Sequence, residues 1–179
     1  MRNRLFLSVA VAALAVALAA APVGARIAGG STGGGKMLVL GTMMGSFRYA
    51  ALANDAGGAK GNFHFELELQ GQHVEFDGAV TCVTFDSLNQ RAWIGGVVTD
   101  NNSEHPSYTT PRTQVGEDIW FRVVDYGEGA NDPEDRTTFV GFAGDRAIAT
   151  SAEYCELQPW VDGDASTWPV VHGNLQVRP

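Results

Sequence analysis

From residue 37 onward, apolar side chains recur at every second position, which is the spacing of a half-buried strand. The run 63–70 is clearest: Phe63, Phe65, Leu67 and Leu69 share one face, and His64, Glu66, Glu68 and Gln70 share the other. Val74 and Phe76 resume the alternation after a turn at Gly71-Gln72, which predicts a β-hairpin. Cys82 has the parity of Val74, Phe76 and Val80, so it is expected to face inward unless a bulge intervenes. Residues 37–42 form a further strand. In 46–52, Ala51 and Leu52 favour helix, but the alternation of Phe47 and Tyr49 favours strand. Additional strands are predicted over 80–85, 92–99, 119–125, 137–144 and 173–178. In 119–125, Ile119, Phe121 and Val123 lie on one side, with Trp120, Arg122 and Val124 on the other. Gly95-Gly96 marks a bulge or a close approach.

Residues 100–118 form a polar connection with two prolines, long enough to predict a functional or mobile loop. No amphipathic helix recurs between the strands, which disfavours a parallel α/β sheet. The predicted fold is all-β and antiparallel, a β-barrel or barrel-like sandwich. Both architectures protect strand edges and use alternating residues.

The start of the chain has a different pattern. Residues 5–21 carry no charge and follow Arg2 and Arg4, with small residues at 23–25. This is the layout of a secretory signal peptide over residues 1–25, and the apolar run is short of the roughly 20 residues a membrane helix needs. The expected location is secreted, periplasmic or extracellular. Residues 26–36 are Gly-rich without apolar spacing and read as a flexible lead-in, leaving 37–179 as a single β domain. The glycines are not a phosphate loop, because Met37 follows Lys36 where Ser or Thr is required.

Residues 1–25 contain two arginines and no acid, so their removal takes the formal charge from -8 to -10. That balance opposes binding to nucleic acid or to an anionic membrane surface. Two cysteines in an exported chain predict one disulfide, Cys82–Cys155. Closing a loop of about 70 residues is worth on the order of 4 kcal/mol.

Several segments together carry a resemblance: Val80-Thr81-Cys82, Ala92 to Gly96, Val123 to Gly129, and Gly173, Asn174, Gln176 and Val177. They resemble a family of uncharacterised secreted bacterial all-β proteins. Its pattern is a V-T-C strand, an A-W-I-G-G strand, a V-V-D-x-G-E-G turn and a terminal G-N-x-Q-V strand. Tyr126 stands where that pattern usually carries Asn, and Val83 where it carries Leu. The resemblance implies export and a β domain, and it brings no established activity.

Two candidate sites follow from residue types. Asp125, Glu128, Asp132 and Asp135 supply clustered oxygens of the kind calcium prefers, although their spacing is not that of an EF-hand. No other cofactor is expected. Tyr126, Trp160 and Trp168 are candidate ligand-binding aromatics, whereas Trp93 and Trp120 sit within strands as packing residues. His64, Glu66 and Glu68 share a strand face at a spacing that permits metal ligation or acid–base work. An ordinary solvated face explains them equally well. Ser46 lacks the context of a nucleophile elbow.

The leading functional expectation is a non-enzymatic extracellular β domain that binds a carbohydrate or protein partner or plays a structural role. The alternatives are a barrel or groove enzyme acting on carbohydrate or a small apolar substrate, and a self-associating cell-surface protein. Sequence leaves the oligomeric state open.

Overall fold

In the computed structural model, residues 26–160 and 164–179 are described; the expected signal peptide lies outside them. The alternating segments form β1 (Ile27–Val39), β2 (Met43–Asn54), β3 (Ala59–Leu69), β4 (Gln72–Asp86) and β5 (Arg91–Asn101). There follow β6 (Asp118–Val124), β7 (Arg136–Thr137), β8 (Gly141–Phe142), one helix α1 (Ser151–Leu157) and β9 (Trp168–Arg178). All strand pairings are antiparallel, and β5 also pairs with β6. The sheet therefore closes into a barrel-like ring. β7 and β8 lie along the same edge of β6, so together they make one interrupted stave.

Aromatic rings fill the ring's interior. Phe65 lies 4.9 Å from Phe121 and 5.8 Å from Phe47, centroid to centroid, and Tyr49 meets Phe121 at 5.3 Å. The lumen is a packed core.

The β3–β4 hairpin forms as its alternation predicts, with the turn one residue earlier, at Gln70-Gly71, where both residues have positive φ. Residues 46–52 lie in a strand, as expected. The flexible lead-in expected over 26–36 is corrected, because these residues belong to β1, paired with β2 on one side and β9 on the other. Their glycines serve close packing. A Cβ on Gly33 would lie 2.5 Å from Leu175 Cδ2 and 2.9 Å from the Tyr49 ring.

The inward parity expected of Cys82 is also corrected. The β4–β5 register shifts between Val80 and Cys82, so Val83 and Phe85 pack on the core instead. Cys82 thus falls on the outer face. The predicted disulfide to Cys155 is present and joins that face to α1 across 73 residues.

The connection at 100–118 is ordered. It contains two 3-10 turns, Pro106–Tyr108 and Pro111–Thr113. The Asn101 side-chain amide donates to the carbonyls of Tyr108 at 2.9 Å and Thr113 at 2.7 Å. Tyr108 places its ring 5.7 Å from Phe76 and 5.9 Å from Phe139, covering part of the core.

Candidate functional site

The outer face of β5 and β6 carries a second layer. Trp93, Trp120, Ile148 and Tyr154 form a separate buried cluster beneath α1. The helix is set by Thr150, whose hydroxyl accepts from the Glu153 N–H at 3.1 Å. The Glu153 carboxylate in turn accepts from the Ala149 N–H at 2.7 Å. α1 can approach closely because position 95 is glycine: a Cβ there would lie 2.6 Å from Cys82 Sγ and 2.8 Å from the Ser151 side chain.

Arg122 is wholly buried on the outer face of β6. Its guanidinium donates to the Trp160 carbonyl and, at 2.8 Å, to the Ala165 carbonyl. Desolvation pushes its pKa below the usual value, the main cost of placing the charge there. In return it fixes both ends of the segment that carries Trp160. Arg146 sits 4.8 Å from the Trp160 ring centroid, a cation–π contact.

These elements surround a cleft of about 340 Å³, lined chiefly by Trp120, Phe139, Tyr154, Trp160, Trp168 and Arg146. Trp160 and Trp168 are half-buried, with part of each residue open to solvent. Tyr154 lines the cleft but is wholly buried, and its hydroxyl has no hydrogen-bond partner among the described residues. Burial pushes its pKa well above the ordinary tyrosine range. Three lining residues hold left-handed backbone: Arg146 (φ 55), Trp160 (φ 59) and Ser166 (φ 61). Each such conformation costs on the order of 1 kcal/mol, and strain of this kind concentrates at ligand sites. Asp145, at the rim, is held by Arg112 at 2.6 Å and by the Phe142 N–H at 2.9 Å.

Trp160 and Trp168 are thus brought to one cleft, while Tyr126 stands apart from it. Tyr126 lines a different depression with Leu88 and Asp125, and its hydroxyl donates to Asp164.

The four candidate calcium ligands have other work. Asp125 accepts from the Gly127 and Val177 N–H groups, both at 2.9 Å. Asp135 accepts from Tyr126 N–H at 2.9 Å and Leu175 N–H at 2.8 Å. Glu128 accepts from the side-chain amides of Asn174 and Gln176, both at 2.9 Å, and Asp132 accepts from Gly129 N–H at 2.7 Å. Only the two-residue β7 stands between β6 and β9, so carboxylates from the 125–135 segment satisfy β9 amides that have no neighbouring strand. Burial raises the Asp135 pKa despite its two amide donors.

Among the described residues, the one group of three His, Cys, Asp or Glu side chains with ligand atoms within 4.8 Å of one another is His64, Glu75 and Asp77. Sequence reasoning singled out His64 but not Glu75 and Asp77. The signal was available, since pairing the two arms of the hairpin sets Asp77 opposite His64.

Comparison with protein families, with curated proteins and with solved structures finds no match for this chain.

Proposed function

We propose that this protein is an exported, non-enzymatic binding module whose aromatic cleft takes a carbohydrate-type ligand, one with an apolar face and several hydroxyls. The observation that carries this reading is a cleft walled by two half-open indoles, Trp160 and Trp168, with the Tyr154 hydroxyl buried beside it and unpaired among the described residues. Indole faces match the C–H face of a sugar ring, and a buried hydroxyl without a partner is a preformed hydrogen-bonding group. The volume falls at the small end of the range for ligand pockets, which suits one or two sugar rings. Asp145, the carboxylate lining the cleft, is committed to an ion pair and a backbone amide, which favours binding over acid–base chemistry.

Export is supported by the pattern of residues 1–25 and by a disulfide, which persists in oxidising compartments. The acidic balance fits neutral partners better than nucleic acid or anionic membrane.

The test is tryptophan emission during titration with neutral mono- and disaccharides. Saturable quenching is expected, weakened at least tenfold in Trp168→Ala and several-fold in Tyr154→Phe. Binding that survives Trp168→Ala unchanged, or no response to any sugar, overturns the reading.

A further inference from the structure

The outer face of the β3–β4 hairpin carries a ladder of two imidazoles and four carboxylates. β3 contributes His64, Glu66 and Glu68, and β4 contributes His73, Glu75 and Asp77. In register, His64 faces Asp77, Glu66 faces Glu75 and Glu68 faces His73. The Glu66–Glu75 pair sets like charges directly across from one another, an arrangement that costs energy unless a cation offsets it. Among the described residues, the ion-pair partners of these carboxylates within 4.0 Å are the two imidazoles; Arg48 stands across from His64 on β2, and Lys36 lines a depression with Glu66 and Glu68 without pairing to them at that distance.

His64 stands on the end rung of this ladder, and its side chain is only 12% exposed. Its Nδ1 lies 3.1 Å from Asp77 Oδ1 and 3.9 Å from Glu75 Oε1. On the other side of the ring, Nε2 lies 4.0 Å from Glu66 Oε2, which also accepts from Ser46 Oγ at 3.2 Å. Carboxylate oxygens therefore flank both ring nitrogens. A neutral imidazole has one N–H and one lone pair. With the proton on Nδ1, the ring donates to Asp77; a metal ion at Nδ1 would take the place of that proton and face the same two carboxylates.

Three electron-pair donors converging on one point are what a cation requires. A tetrahedral ion with ligand bonds of about 2.0 to 2.2 Å separates its ligand atoms by about 3.3 to 3.6 Å, and the distances of 3.1 and 3.9 Å bracket that range.

We propose that His64 Nδ1, Asp77 and Glu75 bind a first-row divalent cation of the zinc class. One nitrogen and two carboxylate oxygens suit such an ion, and the fourth position is left to water. Calcium is a poorer fit, because it seeks six to eight oxygens. β3 is laddered on both sides and paired with β4 through all three ligand-bearing rungs, which holds the ligands on a common frame, although the β4–β5 register shifts beside Asp77.

Isothermal titration of the metal-free full chain with Zn²⁺ tests the site, and Co²⁺ absorption reports the coordination. The expected result is one saturable site per chain and a tetrahedral Co²⁺ spectrum. Binding should weaken at least tenfold in both His64→Asn and Asp77→Asn, and stay unchanged in His105→Asn and His172→Asn. Thermal melts of the apo variants establish that they fold, and Asp77→Asn serves if His64→Asn does not. No saturable Zn²⁺ binding, binding indifferent to His64 and Asp77, or equal displacement by Ca²⁺ overturns the proposal. The first result would leave His64 and Asp77 as a hydrogen-bonded pair alone.

Discussion

The β3–β4 wall and the β5–β6 wall belong to one ring and are built on opposite plans. From Phe63 to Asp77 on β3–β4 the inner face is apolar and the outer face is ionic, so each residue's parity states its environment. On β5–β6 both faces are buried: Ile94 and Phe121 point to the core, while Trp93, Trp120 and Arg122 lie under α1 and its flanking segments. The difference shows how a barrel with a packed lumen can still provide a concave surface. The cleft exists because a second layer was laid over one wall, with Gly95 and the disulfide letting that layer sit close. The uncovered wall kept its polar face and gathered ionisable side chains instead.

The comparison is open to test. Removing the bond with Cys82→Ala/Cys155→Ala frees a loop of 73 residues, with an expected loss of about 4 kcal/mol in denaturant unfolding. If the loss is negligible, α1 is held by packing alone. Trp93→Ala should cost about 3 kcal/mol, as a core truncation does, although Trp93 lies on an outer face. A mild effect would mean that the second layer is not a core.

Asp135→Ala removes the acceptor of two backbone amides, with an expected cost of about 2 kcal/mol. The pH dependence supplies a separate check. The Asp135 pKa is raised on folding, so the native state holds its proton more firmly than the unfolded chain. Its contribution is therefore fully present below the unfolded value and is lost as pH rises through the folded one. Unfolding free energies of wild type and Asp135→Asn, measured from acid to neutral pH, should diverge in that direction. On the uncovered wall, Glu68→Gln should change stability by less than about 0.5 kcal/mol, since its side chain is 67% exposed.

What sequence made legible follows the same division. Where a wall has one buried face, period two located the strands, and the hairpin from Phe63 to Phe76 came out with its faces assigned. Alternation continued through Trp120 and Arg122, but it could not say that their side also was covered. The covering helix is only seven residues long, too short for a periodic signature. Its one signal was the spacing of Thr150 and Glu153, a helix-start pattern. The glycines of 26–36 misled because looseness and close packing use the same residue. For Cys82 the reserved exception applied, since the register shifts between Val80 and Cys82, opposite the Gly95-Gly96 pair that sequence marked as a bulge or close approach. Trp160 and Trp168 were legible as accessible aromatics, whereas Tyr154 and Arg146 became part of the cleft only through tertiary placement. The acids at 125–135 were visible as a cluster, but the β9 amides they serve lie about 50 residues away.

The ring's last stave is fastened unequally. One edge of β9 is laddered to β1 by backbone pairing, and much of the other is held by the carboxylates of Asp125 and Asp135. A clasp made of side chains can release without unravelling any neighbouring strand. Opening should therefore begin at this edge, with the Leu175 and Val177 amides exchanging with solvent before those of β3. The ring closes here through two paired residues of β7 and a few side-chain hydrogen bonds, so this seam is the one whose weakening opens the barrel.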